Sequence, residues 1–293
     1  MPSWKGKTRG GLLGYKIFIF ILKNLGLNPA YFVLRFVAAY FVIFAPSSTR
    51  SIFHYFRKIK HYGALKSFTS VYQCYYVFGQ TILDKVAIAS GMQDKFSYTS
   101  NGIENIEELK KTGGVIISAH LGNWDIAGLL LKKIDLKTNV LMFEAEHEKI
   151  KDYLNQVMKD NPVKVIPISQ DLSHIFKVNE VLKNKEVICM HGDRFMEGSR
   201  TMEKTFMGKP AIFPLGPFSI VSKLDVPYSF AFAVRGRNRE YHFSASPIIR
   251  GKQNPEEVLE QYIAQLEKKL NAYPLQWFNF YDFWSKEVKG AVA

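Results

Sequence analysis

Cysteine is scarce in this sequence of 293 residues, which contains two, Cys74 and Cys189, in aromatic or apolar surroundings. Disulfide-stabilised extracellular scaffolds need several paired cysteines, so that class is excluded, and we predict two reduced, buried thiols in a fold that faces the cytosol. Glycine and proline are also few, 20 and 12 residues. Collagen-like, low-complexity and wholly disordered chains are therefore excluded, and the chain is long enough to bury a sizeable core.

Acidic residues are missing from the first 83 positions, in which eleven lysines and arginines lie, and Asp84 is the first acid. This segment therefore carries most of the formal net charge of +13. It is also rich in Phe, Tyr, Ile and Leu. A basic segment that is apolar and aromatic is typical of a surface that binds an anionic membrane. Nucleic acid is the alternative partner, but a phosphate-tracking arm needs far less apolar surface, so we predict no nucleic-acid binding.

No uninterrupted apolar run in this region reaches the roughly 20 residues that a membrane-spanning helix needs. The run over 31–46 is interrupted by Arg35, and the run over 15–25 is interrupted by lysines. We predict two helices that lie in or dip into the membrane interface, joined near Leu25–Pro29. One tilted span is the alternative. A cleaved signal peptide is disfavoured because no polar cleavage region follows the apolar run.

The sequence pattern changes near residue 97. Aromatic residues at helical spacing over 48–91 indicate a helical region, in which core packing is the main interpretation and a groove for a substrate chain is the alternative. Beyond 97, short β-rich runs alternate with helical stretches, which is typical of an α/β fold with a mainly parallel central sheet flanked by helices. We predict membrane-associated helices at 1–46, a helical region at 47–96 packing on the following domain, and an α/β domain at 97–293. The predicted strands are 115–119, 140–143, 163–168, 187–190, 226–234 and 241–246, and the predicted helices are 126–133, 147–159, 171–183 and 255–273.

The first candidate for chemistry is a histidine at the end of a strand, the edge where sites form in parallel sheets. His120 directly follows the strand VIISA, and Asp125 lies five residues later at the start of a helix. The aspartate would keep one imidazole nitrogen protonated and leave the other as a general base, worth ~10²–10⁴ in rate. A helix-capping aspartate beside an incidental histidine is the structural alternative.

Two later segments occupy similar positions. The loop His191–Arg200, HGDRFMEGSR, follows an apolar strand, and its two arginines either clamp a phosphate or form ordinary ion pairs. The segment Phe206–Ala211, FMGKPA, is predicted to be a shaped turn that opens a helix with an anion-binding amino terminus, or a plain strand–loop–helix joint. The sequence has no G-x-S-x-G and no H-E-x-x-H motif, so a serine-elbow hydrolase and a zinc protease are excluded.

These blocks, after a membrane-seeking amino terminus, resemble the late acyltransferases of lipid A biosynthesis, the lauroyl/myristoyl type of the lysophospholipid acyltransferase superfamily. His120 and Asp125, with Gly-Asn-Trp between them, are similar to the HX4D motif of that superfamily. Asp193-Arg194 lies where the family often has Asp-Gln, and Glu197–Arg200 is similar to a Glu-Gly-Thr-Arg substrate block. Phe206–Ala211 is similar to the family's Phe-Phe-Gly-x-x-Ala block. Residues 273–277, with Trp284, are similar to its carboxyl-terminal aromatic signature.

The resemblance implies an acyltransferase of lipopolysaccharide biosynthesis that moves a fatty acyl chain from acyl carrier protein to a hydroxyl of a lipid A precursor. It implies action at the cytoplasmic face of the bacterial inner membrane, with no cofactor, no metal and no covalent acyl-enzyme. Acyl carrier protein is acidic, so the basic surface would also steer this partner. The implied roles are His120 as general base, Asp125 as its orienter, backbone amides near Gly122 as oxyanion donors, and Asn123, Asp193, Arg194, Glu197, Arg200 and Gly208 as substrate contacts.

One stretch departs from the family pattern. Residues 143–148, FEAEHE, are acidic where relatives that acylate bisphosphorylated lipid A place an arginine. Either the phosphate contacts move to Arg194 and Arg200, or the acceptor is another molecule such as an aminoacyl lipid, a glycolipid or a lipid-like pigment. A membrane-peripheral lipid-binding protein without catalysis is the remaining alternative, and the intact His120 and Asp125 pair disfavours it.

Overall fold

The computed structural model describes residues 12–142, 164–168 and 173–284. The strands in these ranges are β1 Ser97–Asn101, β2 Gly114–Ser118, β3 Thr138–Met142, β4 Lys164–Pro167, β5 Val187–His191, β6 Thr201–Phe206, β7 Lys209–Pro214, β8 Tyr228–Arg235 and β9 Glu240–Ala245. Seven of them form one sheet in the order β1-β9-β8-β2-β5-β3-β4. All neighbours in it are parallel except β8 and β9, so the predicted α/β class with a mainly parallel sheet is confirmed.

Helices cover the sheet and form the amino-terminal region. The α-helices of the described ranges are α1 Leu12–Leu25, α2 Leu27–Phe44, α3 Pro46–His54, α4 Ala64–Ala89, α5 Ile103–Thr112, α6 Trp124–Lys133, α7 His174–Lys183, α8 Gly216–Leu224 and α9 Pro255–Ala272. Gly26, with a φ of +89°, separates α1 from α2 inside the predicted junction. The helical region expected over 48–91 is divided instead, because a π-helical turn at Tyr55–Ile59 ends the first part and α4 begins at Ala64.

Three details of the α/β region differ from the sequence prediction. The segment Phe206–Ala211 contains the tight turn of an antiparallel hairpin formed by β6 and β7, and α8 begins later, at Gly216. Met207 and Gly208 both have positive φ, which suits a two-residue hairpin loop. Strand β1 and helix α5 were not predicted, because neither is strongly apolar. The predicted helix at 147–159 lies outside the described residues.

Helix α2 has two different faces. Leu27, Ala30, Leu34 and Ala38 recur at helical spacing and are buried, largely against α4. A side chain added at Gly79 of α4 would come within 2.4 Å of Leu34, so this glycine lets the two helices approach closely. The opposite face is apolar and exposed, with the side chains of Phe32, Phe36, Tyr40, Ile43 and Phe44. By length and composition alone, α2 is apolar enough to cross a membrane.

A buried carboxylate connects α2 to the sheet. Asp84 on α4, the first acid of the chain, has no exposed surface. It accepts hydrogen bonds from Nε of Arg235 at 2.9 Å, from the hydroxyl of Tyr241 at 2.5 Å and from the hydroxyl of Tyr31 on α2. Because a buried charge is costly unless it is paired, these partners fix α2 and α4 against β8 and β9.

Candidate active site

Two neighbouring parallel strands bring the candidate catalytic groups together. Strand β2 pairs with β5, and Ser118 lies opposite His191 at their carboxyl ends. His120 follows the first strand and Asp193 follows the second, so both emerge from the same edge of the sheet. This is the edge at which α/β folds place their sites.

Asp193 holds His120 through both its backbone and its ring. Oδ1 lies 2.8 Å from Nδ1 of the imidazole, and the backbone N–H of His120 donates to Oδ2 at 3.0 Å. The indole of Trp277 and the amide of Asn279 donate to Oδ2 at 3.1 and 2.9 Å. Since Asp193 accepts at Nδ1, that nitrogen carries the proton, and Nε2, which is hydrogen-bonded to no described residue, is the free basic nitrogen.

The electrostatics of this pair suit a base that is ready at neutral pH. Burial favours a raised pKa for Asp193, but the charge and hydrogen bond of His120, with Arg194 nearby, bring that pKa below its usual 3.8. Burial lowers the pKa of His120 below 6.5, Arg194 acts in the same direction, and Asp193 opposes them. At pH 7 the carboxylate is therefore ionised and the imidazole is neutral.

Asp125, the expected orienter, occupies a different position. Its carboxylate pairs with Nζ of Lys85 at 3.0 Å and is partly exposed, and it forms no hydrogen bond with His120. Asp125 lies in the first turn of α6, where a negative charge is favourable next to the helix dipole. The structure thus differs from the prediction: Asp193, expected to contact substrate, takes the place on Nδ1 that was assigned to Asp125.

The loop between His120 and α6 uses its polar groups internally. Gly122, with a φ of +68°, donates its N–H to Gln276 O at 2.9 Å, and the N–H of Asn123 donates to Ala233 O at 2.7 Å. The side chain of Asn123 is buried and donates to Thr81 O at 2.9 Å. These two amides are therefore not free oxyanion donors, and Asn123 holds the loop against α4 where a substrate contact was expected.

Arg194 also differs from its expected role. Its guanidinium donates to Oδ1 of Asn279 at 2.7 Å and to Phe278 O at 2.6 Å. Arg194 thus binds the carboxyl-terminal segment, where a contact to acceptor or donor was expected. Since Asn279 also donates to Asp193, Arg194 supports the carboxylate of Asp193 indirectly.

The other predicted contacts lie on the surface. Glu197 and Arg200 are exposed in the loop between β5 and β6, and their side chains form no hydrogen bond or ion pair with the described residues. Gly208 is in the turn between β6 and β7 and has open space beside it. Substrate binding by these three residues stays a prediction. The acidic stretch 143–148 lies outside the described residues.

Sequence reasoning missed several residues of the site. Asn279 carries no signal, because its contact with Asp193 joins positions far apart in the chain. Trp277 stood in the carboxyl-terminal aromatic signature, but nothing in that pattern indicated a bond to a carboxylate. The rings of His191 and Trp124, with centroids 4.3 and 5.1 Å from that of His120, form an aromatic wall beside the imidazole.

Comparisons with known proteins identify acyltransferases to which this chain is similar. Residues 66–286 match the bacterial lipid A biosynthesis acyltransferase family. Phosphatidylinositol mannoside acyltransferases of two Mycobacterium tuberculosis strains, H37Rv and CDC 1551, are 26% identical over 186 residues, or 60% of this chain. The match spans 56% of the length of these curated relatives. The crystal structure of the 1-acyl-sn-glycerophosphate acyltransferase PlsC from Thermotoga maritima is similar with a TM-score of 0.40 and 17% identity, over 84% of this chain and 97% of that one.

The family match begins in α4 and extends beyond Trp284. It therefore includes His120 and Asp193 at the ends of β2 and β5, and the carboxyl-terminal segment that contacts Asp193. It covers most of the chain, and it confirms the resemblance seen in the motifs. The chain belongs to the bacterial lipid A biosynthesis acyltransferase family.

Proposed function

We propose that this protein transfers a fatty acyl chain from the thioester of acyl carrier protein to a hydroxyl of a membrane lipid, with a lipid A precursor as acceptor. The observation that carries the proposal is the hydrogen bond between His120 Nδ1 and the buried carboxylate of Asp193, at the sheet edge of a chain from this family. In this proposal His120 is the general base, and Asp193 fixes the orientation of its ring.

The reaction needs one proton-transfer group. Nε2 of His120 takes the proton of the acceptor hydroxyl while its oxygen bonds to the thioester carbonyl carbon. The tetrahedral intermediate then reforms the carbonyl as the carbon–sulfur bond breaks, and the leaving thiolate recovers the proton from Nε2. The thioester is already activated, so no serine nucleophile and no acyl-enzyme are required.

The developing oxyanion is assigned to the first turn of α6. The amides of Gly122 and Asn123 and the guanidinium of Arg194 are used in internal hydrogen bonds. Helix α6 begins at Trp124, four residues after His120, and the first N–H groups of a helix have no carbonyl partner within it. The N–H groups of Ile126 and Ala127 donate to Oδ1 and O of Asn123 at 3.4 and 3.3 Å, so the groups assigned to the oxyanion are the N–H groups of Trp124 and Asp125. These N–H groups, with the helix dipole, favour a negative charge beside the imidazole.

A row of aromatic rings supports an apolar path for an acyl chain. The backbone N–H of Phe278 donates to His120 O, and its ring lies 4.9 Å from that of Phe78. Phe280 continues the row to Tyr75 at 5.5 Å, and Tyr75 lies 5.9 Å from Phe41 on α2. We assign this path to the acyl chain of the donor or of the acceptor, because it joins the catalytic histidine to the apolar amino-terminal helices.

The same helices seat the protein on the cytoplasmic surface of the inner membrane in this proposal. Because one face of α2 is packed on α4 and the opposite face is exposed and apolar, the helix is suited to lie in the plane of the interface. A truncation of 1–46 is a poor test of this arrangement, since it removes Leu34 and Ala38 from the core. Phe36→Glu, on the exposed face, is the better variant: it should lose binding to lipid vesicles and keep the wild-type melting temperature.

A glycolipid is the second candidate acceptor. The relatives at 26% identity are named for phosphatidylinositol mannoside, and residues 143–148 are acidic where an arginine was expected. Both facts favour a sugar hydroxyl on a lipid other than lipid A. The family match favours the lipid A precursor, and the catalytic step at His120 is the same for either acceptor.

Mass-spectrometric lipid profiling of the producing cell tests the proposal. Wild type is compared with His120→Ala, and His61→Ala, at an exposed histidine, is the matched control. A lipid A species that loses one secondary acyl chain only in His120→Ala is the expected result. Loss of one chain from a glycolipid, with lipid A unchanged, would replace the acceptor by the second candidate. If the folded His120→Ala protein left every lipid unchanged, the catalytic proposal would be wrong.

A further inference from the structure

A cleft of about 650 Å³ lies beside α3 and the π-helical turn that follows it, and its lining includes neither His120 nor Asp193. Its polar lining is mainly basic and hydroxylic. The residues that give it this character are Ser47, Arg50, Ser51, Arg57 and Lys58.

The local fold places these side chains on one face. Ser47, Arg50 and Ser51 recur at helical spacing along α3. The π-helical turn then buries Tyr55, Phe56 and Ile59 and leaves Arg57 and Lys58 exposed. The wider turn therefore keeps an aromatic face in the core and a basic face on the cleft, and such turns occur frequently at functional sites.

The positive charge of the cleft is largely uncompensated. Arg50 and Lys58 form no hydrogen bond or ion pair with any residue in the described ranges, and Arg57 donates to the carbonyl of Tyr62 at 3.1 Å. Asp282 is the one carboxylate among the lining residues, and its Oδ1 lies 3.3 Å from Nδ1 of His54, which also lines the cleft. Three cations thus face one anion, which indicates an anionic ligand.

The neighbouring surface indicates what carries that anion. The last turn of α2 exposes Ile43 and Phe44, at 69% and 63%, and Pro46 at the start of α3 already lines the cleft. The exposed apolar face of α2 is therefore directly adjacent to the basic cleft. This order, from apolar to cationic, matches the order of acyl chains and headgroup phosphates at a membrane surface.

We propose that this cleft binds the phosphate of an anionic lipid headgroup. Guanidinium groups and the hydroxyl of Ser47 are suited to phosphate oxygens, whereas the hydroxyl of Ser51 donates to Ser47 O at 3.1 Å. The concave shape suits a lipid headgroup better than the flat surface of an acidic protein such as acyl carrier protein. The inference rests on the membrane seating in the proposed function and is independent of acyl transfer.

The cleft is also connected to the active site. Asp282 in its lining comes three residues after Asn279, which donates to Asp193. Three residues span at most about 10 Å. The ring of Tyr55 in the π-helical turn lies 5.5 Å from that of Trp277, another donor to Asp193. A headgroup in the cleft would therefore hold the membrane surface close to the catalytic carboxylate.

Vesicle binding of the full chain, without any acyl donor, tests the inference. The probes are phosphatidylcholine vesicles with and without about one-fifth phosphatidylglycerol. In the triple variant Arg50→Gln/Arg57→Gln/Lys58→Gln, binding to the anionic vesicles should weaken by on the order of 10²-fold, because each basic residue near such a surface contributes about fivefold. Binding to vesicles of phosphatidylcholine alone should be unchanged, since it depends on the apolar face of α2.

A matched variant separates the cleft from net charge. Lys111→Gln/Lys223→Gln/Lys252→Gln removes the same charge from exposed lysines outside the cleft. It should bind anionic vesicles within about fivefold of wild type at physiological salt, where screening limits distant charges. Equal weakening in the two triple variants would overturn the inference, because net charge would then explain the binding.

A variant that keeps every charge tests for a specific headgroup site. Ser47→Ala removes only a hydroxyl and should weaken binding to the anionic vesicles several-fold. If this variant bound the vesicles as well as wild type does, the cleft would be only a diffuse basic surface and the proposed headgroup site would be refuted.

If the cleft triple variant lost affinity for acyl carrier protein while its affinity for anionic vesicles stayed at the wild-type value, the ligand would be that protein and the inference would be wrong. Vesicle binding by an inactive His120→Ala protein would leave the inference intact even if acyl transfer failed.

Discussion

Replacing Asp193 by asparagine tests which carboxylate orients His120. The carboxylate accepts hydrogen bonds from four donor groups: the backbone N–H and the ring of His120, the indole of Trp277 and the amide of Asn279. An asparagine amide offers one oxygen and one NH₂ group in place of two oxygens. In either orientation its NH₂ therefore faces at least two N–H donors.

The two orientations differ in cost. With NH₂ at the Oδ2 position, Trp277 and Asn279 both lose their acceptor, and a buried unsatisfied donor costs about 1–3 kcal/mol. With NH₂ at the Oδ1 position, Nδ1 of His120 becomes the acceptor and its proton moves to Nε2. That orientation costs less, but it removes the lone pair that serves as the base. We expect kcat/KM to fall by ~10²–10⁴ while the protein remains folded.

Asp125→Asn is the matched control in the same assay, acyl transfer from acyl carrier protein to a lipid A precursor in detergent micelles. Its carboxylate pairs with Lys85 at a partly exposed position, where an ion pair contributes up to about 1 kcal/mol, so the loss should stay within about fivefold. Circular dichroism and melting temperature verify folding. If Asp125→Asn lost on the order of 10²-fold while Asp193→Asn kept nearly full activity, the assignment of Asp193 as orienter would be refuted.

Three further predictions follow from the same contacts. Burial holds the pKa of His120 below 6.5, so kcat/KM should fall only as the pH drops below 6.5, and an acid limb centred above that value would contradict a neutral base. Asp84→Asn should lower the free energy of unfolding by about 3–5 kcal/mol in urea titrations because Arg235 loses its buried partner, whereas Glu108→Gln, in an exposed pair, should cost under about 1 kcal/mol. Gly122→Ala should lose activity and lower the melting temperature, since its Cβ would lie 2.1 Å from Ala233 O; a wild-type melting temperature would argue against this loop geometry.

The parts of the fold that depend on local pattern were predictable from the sequence. Strands such as β2 and β5 are continuous apolar runs. The break between the first two helices, at Gly26, lies inside the junction predicted near Leu25–Pro29. The hairpin at Phe206–Ala211 was not predicted, because Gly208 and Pro210, with one residue between them, suit several kinds of turn. Strand β1, SYTSN, is mostly exposed at the sheet edge, so no apolar alternation indicated it.

The candidate site was predictable only in part, for a physical reason. His120 stands at the end of a strand, which the sequence reveals. Its partner depends on which strands are neighbours: β5 comes much later in the chain but lies directly beside β2, and so Asp193 reaches Nδ1. Spacing along the chain favoured Asp125, which is close in sequence and paired with Lys85 in space. A constellation formed by long-range strand pairing has no signature in local spacing.

A buried polar network connects the amino-terminal helices to the loop that follows His120. Tyr31 on α2 donates to Asp84, Tyr241 donates to the same carboxylate, and Asn123 in the loop after His120 donates to the hydroxyl of Tyr241 at 3.3 Å. A chain of hydrogen bonds thus runs from α2 to the loop that follows His120 without a flexible linker. The division at residues 46 and 96 stays a prediction, but this network gives α2 a fixed orientation relative to His120. In the proposed function, a lipid surface that binds the exposed face of α2 would therefore set the height of the imidazole relative to a membrane-bound acceptor hydroxyl.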